Sequence, residues 1–126
     1  MPITSPPSTT TRGREAEEKA CRFLEAKGLR FVARNYRAPC GEIDLILHDG
    51  MALVFVEVRL RRPSRFGDAI ESVTPRKRAR MTATAAHYLQ RHPTLANRPC
   101  RFDVVAFTGT DITTTDPHWL KGAFGV

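Results

Sequence analysis

Residues 56–61 alternate strictly between apolar and charged side chains, and this alternation constrains the fold more than any other feature of the sequence. Apolar residues occupy the even positions from Val56 to Leu60, and charged residues occupy the odd positions from Glu57 to Arg61. Successive side chains of a β-strand point to opposite faces of a sheet. The pattern therefore predicts a strand with one face in an apolar core and the other face charged.

The dipeptide Asp49-Gly50 separates this strand from an earlier β-rich run at 42–48, and an Asp-Gly pair in that setting is a strong hairpin signal. With Asp49-Gly50 as a two-residue turn, Asp44 is expected to face Phe55. Asp44 is then a diagonal neighbour of Glu57 on the same face, about 7–8 Å away at the backbone. The two carboxylates are therefore predicted to converge from adjacent strands.

The apolar residues of the earlier strand, Ile43, Leu45 and Leu47, are expected to share the opposite face. Two carboxylates about 5 Å apart repel by on the order of 3 kcal/mol at an effective dielectric of roughly 20. Oxygen ligands suit a hard cation such as Mg²⁺ or Mn²⁺, which would relieve this repulsion. A salt bridge from Arg59 or Arg61 would also relieve it, so both interpretations stay open.

The rest of the chain supplies two helices and two further strands. Apolar spacing and flanking residues predict helices at 14–27 and 75–91 and strands at 29–37 and 100–107. The order of helix, three strands, helix and strand predicts a three-layer α/β fold with a mixed central sheet.

The second helix has a clear starting signal, with Thr74 as N-cap and Pro75 at the first helical position. The positions 81, 85, 88 and 89 are expected to form its buried stripe. A short helical turn is also expected at 69–72, within a polar connection.

The two ends of the chain differ in character from its centre. Residues 1–12 are rich in Pro, Ser and Thr, which predicts a disordered lead-in, and residues 13–126 are expected to form a single domain. In the C-terminal tail, Trp119, Leu120 and Phe124 are expected to fold back onto the core.

The composition indicates the kind of partner and compartment. A net charge of +7 and a pI near 10.0 favour a polyanionic partner, either nucleic acid or an anionic membrane surface. No apolar run reaches the roughly 20 residues of a membrane helix, and the first residues do not resemble a secretory signal. Cys21, Cys40 and Cys100 have neither CxxC nor zinc spacing, and free thiols predict a reducing cytoplasmic location.

Several short motifs are recognisable at their particular spacing. The most specific are GEIDLI at 41–46 and FVEV at 55–58, and shorter matches lie at 13–17, 35–37 and 101–105. Together they resemble the YraN family of bacterial proteins. That family is similar in turn to the restriction-endonuclease-like superfamily, which includes the Holliday-junction resolvases, and the resemblance implies a restriction-endonuclease-like core.

The superfamily pattern is an aspartate, a spacer and then E-x-K. By this resemblance, Asp44 is the first acid and Glu57 the second, and both are implied ligands of Mg²⁺ or Mn²⁺. Arg59 occupies the lysine position, and Glu17 matches the helical acid that often completes the catalytic site. An arginine cannot lose its proton to act as a base, so the implied role of Arg59 is to clamp a phosphate or stabilise charge.

Basic residues flank these acids in the sequence. Arg76, Lys77 and Arg78 begin the second helix, and Arg61 and Arg62 end the acidic strand. Helix N-termini and basic side chains both attract phosphate, so these five residues are predicted to bind nucleic acid. A solvated run of charges is the simpler interpretation. Lys77 is also a candidate to supply the amine that the strand lacks.

Three functions fit these observations. The first is a Mg²⁺-dependent endonuclease acting on DNA, with branched or damaged forms suggested by the superfamily. A junction-cutting enzyme would act as a homodimer, because two strands must be cut symmetrically. The second is a non-catalytic nucleic-acid-binding module that retains the fold, and the third is an RNA-directed enzyme. The pairing of Asp44 with Glu57 favours the first function, and Arg59 favours the second.

Overall fold

The computed structural model describes residues 7–61, 73–108 and 116–124. Within them the predicted order of helix, three strands, helix and strand is confirmed, and one further strand follows. The bounds are α1 Pro7–Ala26, β1 Arg30–Ala38, β2 Gly41–Asp49, β3 Ala52–Arg61, α2 Pro75–Arg91, β4 Cys100–Thr108 and β5 His118–Phe124. A 3₁₀ turn at Pro93–Leu95 leads from α2 towards β4.

The five strands form a single sheet in the order β1-β2-β3-β4-β5. Strands β3 and β4 are parallel and α2 lies between them in the chain, whereas every other neighbouring pair is antiparallel. A parallel pair needs such a crossover, and a helix is its usual form. The structure therefore confirms a mixed α/β fold.

The two helices cover opposite faces of this sheet. Helix α1 packs on the face of β3 that carries Val54 and Val56, and α2 packs on the face that carries Leu53 and Phe55. The helix residues buried in these contacts are Ala16, Ala20, Cys21 and Leu24 from α1 and Met81, Ala85 and Tyr88 from α2. The protein thus has the three predicted layers, and Leu89 of the predicted stripe packs at the margin of the α2 cluster.

The β2–β3 hairpin has a different turn from the one predicted. Asp49 pairs with Ala52, so the turn consists of Gly50 and Met51. Gly50 has a φ of 61°, and glycine at the first central position is characteristic of the type II′ hairpin turn. The backbone freedom of this glycine therefore decides which two residues make the turn.

The predicted pairing of Asp44 with Phe55 is wrong as a consequence. Ile46 faces Phe55, so the register differs from the prediction by two residues. Because side chains alternate with a period of two, an even shift leaves Glu57 on the face predicted for it. Leu53 and Phe55 share that face and pack against α2, so the face is charged only towards the end of β3. If the same register continued past its last regular pair, Asp44 would stand opposite Glu57.

Strand β2 does not keep a strict alternation around Asp44. Leu45 and Leu47 pack with the α1 cluster, but Ile43 packs with the α2 cluster, so the prediction that all three share a face is wrong. In the neighbouring strand β1, Asn35 has a φ of 52°, in the left-handed region, and no regular pair joins Asn35 to Asp44, although the register is the same on either side of it. The sheet is therefore irregular where the acidic motif begins.

The bounds of α2 are those predicted, but α1 begins at Pro7, well before the predicted start at residue 14. Proline suits the first helical position, whereas the polar residues after it lack the apolar spacing that would reveal a helix. The helix overlaps the lead-in predicted to be disordered. The turn expected at 69–72 lies outside the described residues.

No helix in the described ranges is both long and apolar enough to span a membrane.

The C-terminal residues form β5, a strand that the sequence did not predict. Trp119, Leu120 and Phe124 pack against the core as expected. The strand is held by Asp103 of β4, which is fully buried and accepts hydrogen bonds from the Trp119 indole N–H at 2.9 Å and the Gly122 backbone N–H at 2.9 Å.

Candidate functional site

A cavity of about 220 Å³ lies next to the end of the regular β2–β3 ladder. It is lined by side chains from both helices and both strands of the hairpin. These include all four residues assigned to catalysis by the resemblance, together with one residue of the basic run: Glu17 from α1, Asp44 from β2, Glu57 and Arg59 from β3, and Lys77 from α2. Residues distant in the sequence are thus brought together in one place.

Glu57 makes ion pairs with two cations. Its Oε2 atom lies 2.7 Å from Lys77 Nζ and 3.3 Å from Arg59 Nη1, and its side chain is only 5% exposed. The salt bridge from Arg59, which the sequence offered as an alternative to a metal, is therefore present. Lys77 adds a second ion pair because the N-terminal turn of α2 faces this end of β3.

Asp44 is held differently from its neighbour. Its Oδ2 atom accepts a hydrogen bond from the Val58 backbone N–H at 2.8 Å, just beyond the last regular β2–β3 pair. Burial and then the charge of Glu57 raise the pKa of Asp44 to about 8, against the opposing effects of the Val58 hydrogen bond and Lys77. In the protein without a bound cation, the protonated form of Asp44 is therefore favoured over a wider pH range than that of an ordinary aspartate.

Glu17 is half-buried on α1 and faces the same carboxyl groups. Burial raises its pKa, the side-chain hydrogen bond from Asn35 opposes this, and the charges of Glu42 and Glu57 add to the rise. Sequence reasoning gave no role to Asn35, although asparagine is uncommon inside strands and tolerates a left-handed backbone. Those two properties mark Asn35 as an unusual backbone position, but no sequence signal links it to Glu17.

The donor set limits which metal the residues could hold. Across the described residues, there is no group of three or more His, Cys, Asp and Glu side chains that could hold a metal ion. Asp44 and Glu57 remain as a pair of oxygen donors in one cavity, and Mg²⁺ is typically bound through one or two carboxylates with several waters. The residues therefore fit a hydrated hard cation and do not fit an ion that needs three or more side-chain ligands.

The basic residues at the start of α2 differ in their surroundings. Lys77 enters the cavity, whereas Arg76 is exposed and Arg78 is half-buried, because successive helical residues point about 100° apart. The Nε atom of Arg78 is buried without a hydrogen-bond partner in the described part of the chain. Arg62 and the side chain of Arg61 lie outside the described residues. Nucleic-acid binding by these residues stays a prediction.

A second and larger cavity, of about 710 Å³, borders the first. Glu17 contributes to the walls of both. The other lining residues are Arg14, Glu15, Glu18, Lys19, Arg22, Arg34 and Asn35. The sequence did not predict this depression, because it depends on how α1 packs against β1.

The sequence is similar to several bacterial proteins over most of its length. It is 51% identical over 121 residues to a UPF0102 protein of Nitrosococcus oceani, an alignment that covers 96% of this chain and 97% of that protein. It is 53% identical over 110 residues to a UPF0102 protein of Klebsiella pneumoniae, covering 86% and 82% of the two chains. A UPF0102 protein of Pseudomonas putida is 44% identical over 124 residues, covering 98% of each chain.

The family comparison agrees with these relatives. The sequence model described as "Uncharacterised protein family UPF0102" matches residues 16–107, which include the acids of the cavity and both cations that contact Glu57. The resemblance to the YraN family is thereby confirmed, and the chain belongs to that family, UPF0102.

Proposed function

We propose that this protein is a metal-dependent endonuclease that hydrolyses phosphodiester bonds in DNA. The observation that carries the proposal is the cavity shared by Asp44, Glu57, Arg59 and Lys77, in which two carboxyl groups from neighbouring strands lie beside two cations. Phosphoryl transfer depends on positioning the phosphate and neutralising its developing charge. The carboxyl groups can hold a divalent cation, and the two cationic side chains can position a phosphate and neutralise its charge.

A restriction-endonuclease-like core is part of this proposal. The superfamily pattern draws its acids from a first helix and from two consecutive strands. Here Glu17 lies on α1, Asp44 on β2, and Glu57 with Arg59 on β3. The order of elements from α1 to β4 and the mixed sheet support the same assignment.

Asp44 and Glu57 would hold Mg²⁺ or Mn²⁺, which would supply Lewis acidity and lower the pKa of a bound water. Asp44 must give up its proton to act as a ligand, so its raised pKa makes cation binding depend on pH. Glu17, oriented by Asn35, would accept a hydrogen bond from a water in the same cavity.

Arg59 is the residue that we assign to the scissile phosphate. One of its Nη atoms contacts Glu57, while its Nε atom is buried and has no hydrogen-bond partner among the described residues. A guanidinium group offers several N–H donors in a plane and matches two oxygens of a phosphate. A phosphate beside Arg59 would satisfy this unpaired donor.

A second candidate function is a nucleic-acid-binding module without catalysis. The observation that favours it is the double ion pair of Glu57, because Lys77 and Arg59 already neutralise this carboxylate without a metal. In that case the acids would stabilise the fold, and the basic residues alone would contact the phosphate backbone.

The two functions are separated by a cleavage assay. The protein is incubated with Mg²⁺ or Mn²⁺ and with duplex, single-stranded and branched DNA, and an RNA panel is run in parallel. Asp44→Asn and Glu57→Gln should each lower cleavage at least about 100-fold, since each removes a group required in the transition state. Asp49→Asn, at the far end of the same hairpin, should cut like the parent protein.

Each outcome of this assay has a defined meaning. Cleavage that is equal in the parent and in both cavity variants would come from a contaminant and would refute the endonuclease proposal. Tight and salt-sensitive binding without cleavage under any condition would support the binding module. Preferential cleavage of RNA would redirect the proposal to an RNA-directed enzyme.

Cutting of branched DNA would require two active sites, so we propose that the protein cuts junctions as a homodimer. Sedimentation of the protein with and without a four-way junction tests this. A complex with a single copy on the junction, together with cleavage of both strands, would contradict it.

A further inference from the structure

Both cations of the small cavity contact the same oxygen atom of Glu57. Oε2 lies 2.7 Å from Lys77 Nζ and 3.3 Å from Arg59 Nη1, and the carboxylate is almost completely shielded from solvent. Ion pairs in such surroundings are screened much less than surface pairs. In the free protein, Glu57 is therefore neutralised by the chain's own side chains.

This pairing opposes the binding of a divalent cation. Such a cation needs the negative charge of Glu57, and it is repelled by Lys77 and Arg59 as long as they stay beside that carboxylate. All ion pairs recorded within the cavity, among its described residues, involve Glu57. Occupancy of the site therefore depends on what else the two cations can bind.

We propose that Lys77 and Arg59 hold Glu57 in its ion pairs until a phosphodiester binds, so that divalent cation and nucleic acid bind cooperatively. The inference rests on the proposed function. A phosphate in the cavity offers both cations a second acceptor, and their shift towards it leaves the charge of Glu57 available. Lys77 is thus a positioning residue that links the two binding events.

Lys77 is built to make this exchange without disturbing the fold. Its backbone N–H donates a hydrogen bond to Thr74 Oγ1 at 3.2 Å, which fixes it in the first turn of α2. Its side chain is 33% exposed and ends in an ammonium group with three donors on a flexible stem. The ammonium can turn from Glu57 to a phosphate while the helix stays in place.

Arg59 has an independent reason to accept a phosphate. Its Nε atom is buried and has no acceptor within the part of the chain that the structure describes. A buried donor without a partner is costly, and a ligand that supplies an oxygen removes the cost. The free protein therefore has an unused donor on Arg59, which is one of the two cations that contact Glu57.

Calorimetry of Mn²⁺ binding to the full chain tests the coupling. Titrations are done without and with a duplex oligonucleotide whose phosphorothioate linkages resist cleavage. In the parent protein, the oligonucleotide should tighten Mn²⁺ binding at least about tenfold, within the range usual for coupled sites. Mn²⁺ should tighten oligonucleotide binding by the same factor, because coupling between two binding events is reciprocal.

Lys77→Gln is the informative variant. It should bind Mn²⁺ more tightly than the parent protein when no oligonucleotide is present, and the oligonucleotide should then give little further gain. Lys27→Gln removes the same charge from an exposed position just after the end of α1 and should match the parent. If Lys77→Gln fails to fold, Arg59→Gln releases the same oxygen of Glu57 and carries the same expectation.

Equal Mn²⁺ affinity in the parent and in folded Lys77→Gln would overturn the inference, and so would an undiminished effect of the oligonucleotide in that variant. Either result leaves the proposed endonuclease standing. If neither protein binds Mn²⁺ even with the oligonucleotide present, the proposed function fails as well.

Discussion

At the scale of single residues, Asp44 and Glu57 share a cavity but differ in how their charge is balanced. Glu57 is balanced by Lys77 and Arg59, whereas the hydrogen bond that Asp44 accepts comes from the uncharged Val58 N–H. Burial then makes the charged form of Asp44 unfavourable. Two acids that line one cavity therefore differ in what surrounds their charge, and burial raises the pKa of Asp44.

Asp44→Asn should remove a pH dependence of folding stability. The native protein keeps the Asp44 proton up to a pKa of about 8, whereas the unfolded chain releases it near a pKa of about 3.9. Between these values the free energy of unfolding falls as pH rises, by up to about 1.4 kcal/mol per pH unit. The stability that the raised pKa of Asp44 contributes is complete at pH values below the lower pKa, and it is lost as the pH rises through the higher pKa. Urea unfolding should show that the free energy of unfolding falls from pH 5 to pH 8 in the parent protein and that most of this fall is absent in the variant.

Asp49→Asn is the matched control for this measurement. A hydrogen bond from Arg101 lowers the pKa of Asp49. The contribution of Asp49 to folding stability is therefore lost on acidification, at pH values below the interval from pH 5 to 8. The control should therefore keep the slope of the parent protein between pH 5 and 8. Identical slopes in the parent and in Asp44→Asn over that interval would contradict the prediction.

The convergence of these acids could be predicted from the sequence even though the register could not. The alternation of β3 places Glu57 on the same face for either two-residue turn, because the actual turn changes the pairing by an even number of residues. The contact between Lys77 and Glu57 could not be predicted from the sequence, because it depends on how α2 packs on the sheet. Only the N-cap signal at Thr74 hinted at where that helix begins.

At the scale of elements, β5 depends on Asp103 of β4. This fully buried carboxylate accepts hydrogen bonds from Arg101 within its own strand and from Trp119 and Gly122 of β5. Arg101 also pairs with Asp49 at the β2–β3 turn, so a single buried acid joins three parts of the sheet. These contacts explain why a Thr- and Asp-rich tail, with no strand pattern of its own, ends in an ordered strand.

Asp103→Asn should loosen β5 without disrupting the rest of the sheet. An amide can accept hydrogen bonds at only one of its two polar atoms, and Arg101 would lose the charge that balances it. The free energy of unfolding should fall by about 2–5 kcal/mol, as is usual when one member of a buried pair is removed. Hydrogen exchange should show faster exchange of the amides of residues 118–124 than of β3.

The control for this change removes the other acid that pairs with Arg101. Asp49 is about one-third exposed, so Asp49→Asn should cost no more than about 1 kcal/mol and leave exchange in β5 unchanged. Equal effects of the two substitutions would show that the hydrogen bonds of Asp103 are not what holds β5.

At the scale of the whole molecule, the mixed α/β architecture was predictable, whereas the packing details that depend on tertiary contacts were not. Strands β1 to β4 and helix α2 carry strong local signals, and their order determines the layers. The early start of α1 at Pro7 and the existence of β5 lack such signals. The irregularity of β2 beside Asn35 is likewise a property of the assembled sheet, and it is what sets Asp44 apart from the regular ladder.

The net charge of +7 is a property of the whole chain and leads to a last prediction, which rests on the proposed nucleic-acid partner. Each phosphate contact releases counterions, so the logarithm of DNA affinity should fall linearly with the logarithm of salt concentration. With about four phosphate contacts, affinity should fall by roughly 100-fold between about 50 and 200 mM salt.

Arg76→Gln, at an exposed position in the first turn of α2, should make the slope of this salt dependence shallower by about 1. Fluorescence anisotropy with a labelled duplex measures both slopes, and Lys27→Gln should leave the slope unchanged. Salt-independent binding, or equal slopes for the parent and Arg76→Gln, would remove the start of α2 from the DNA-binding surface.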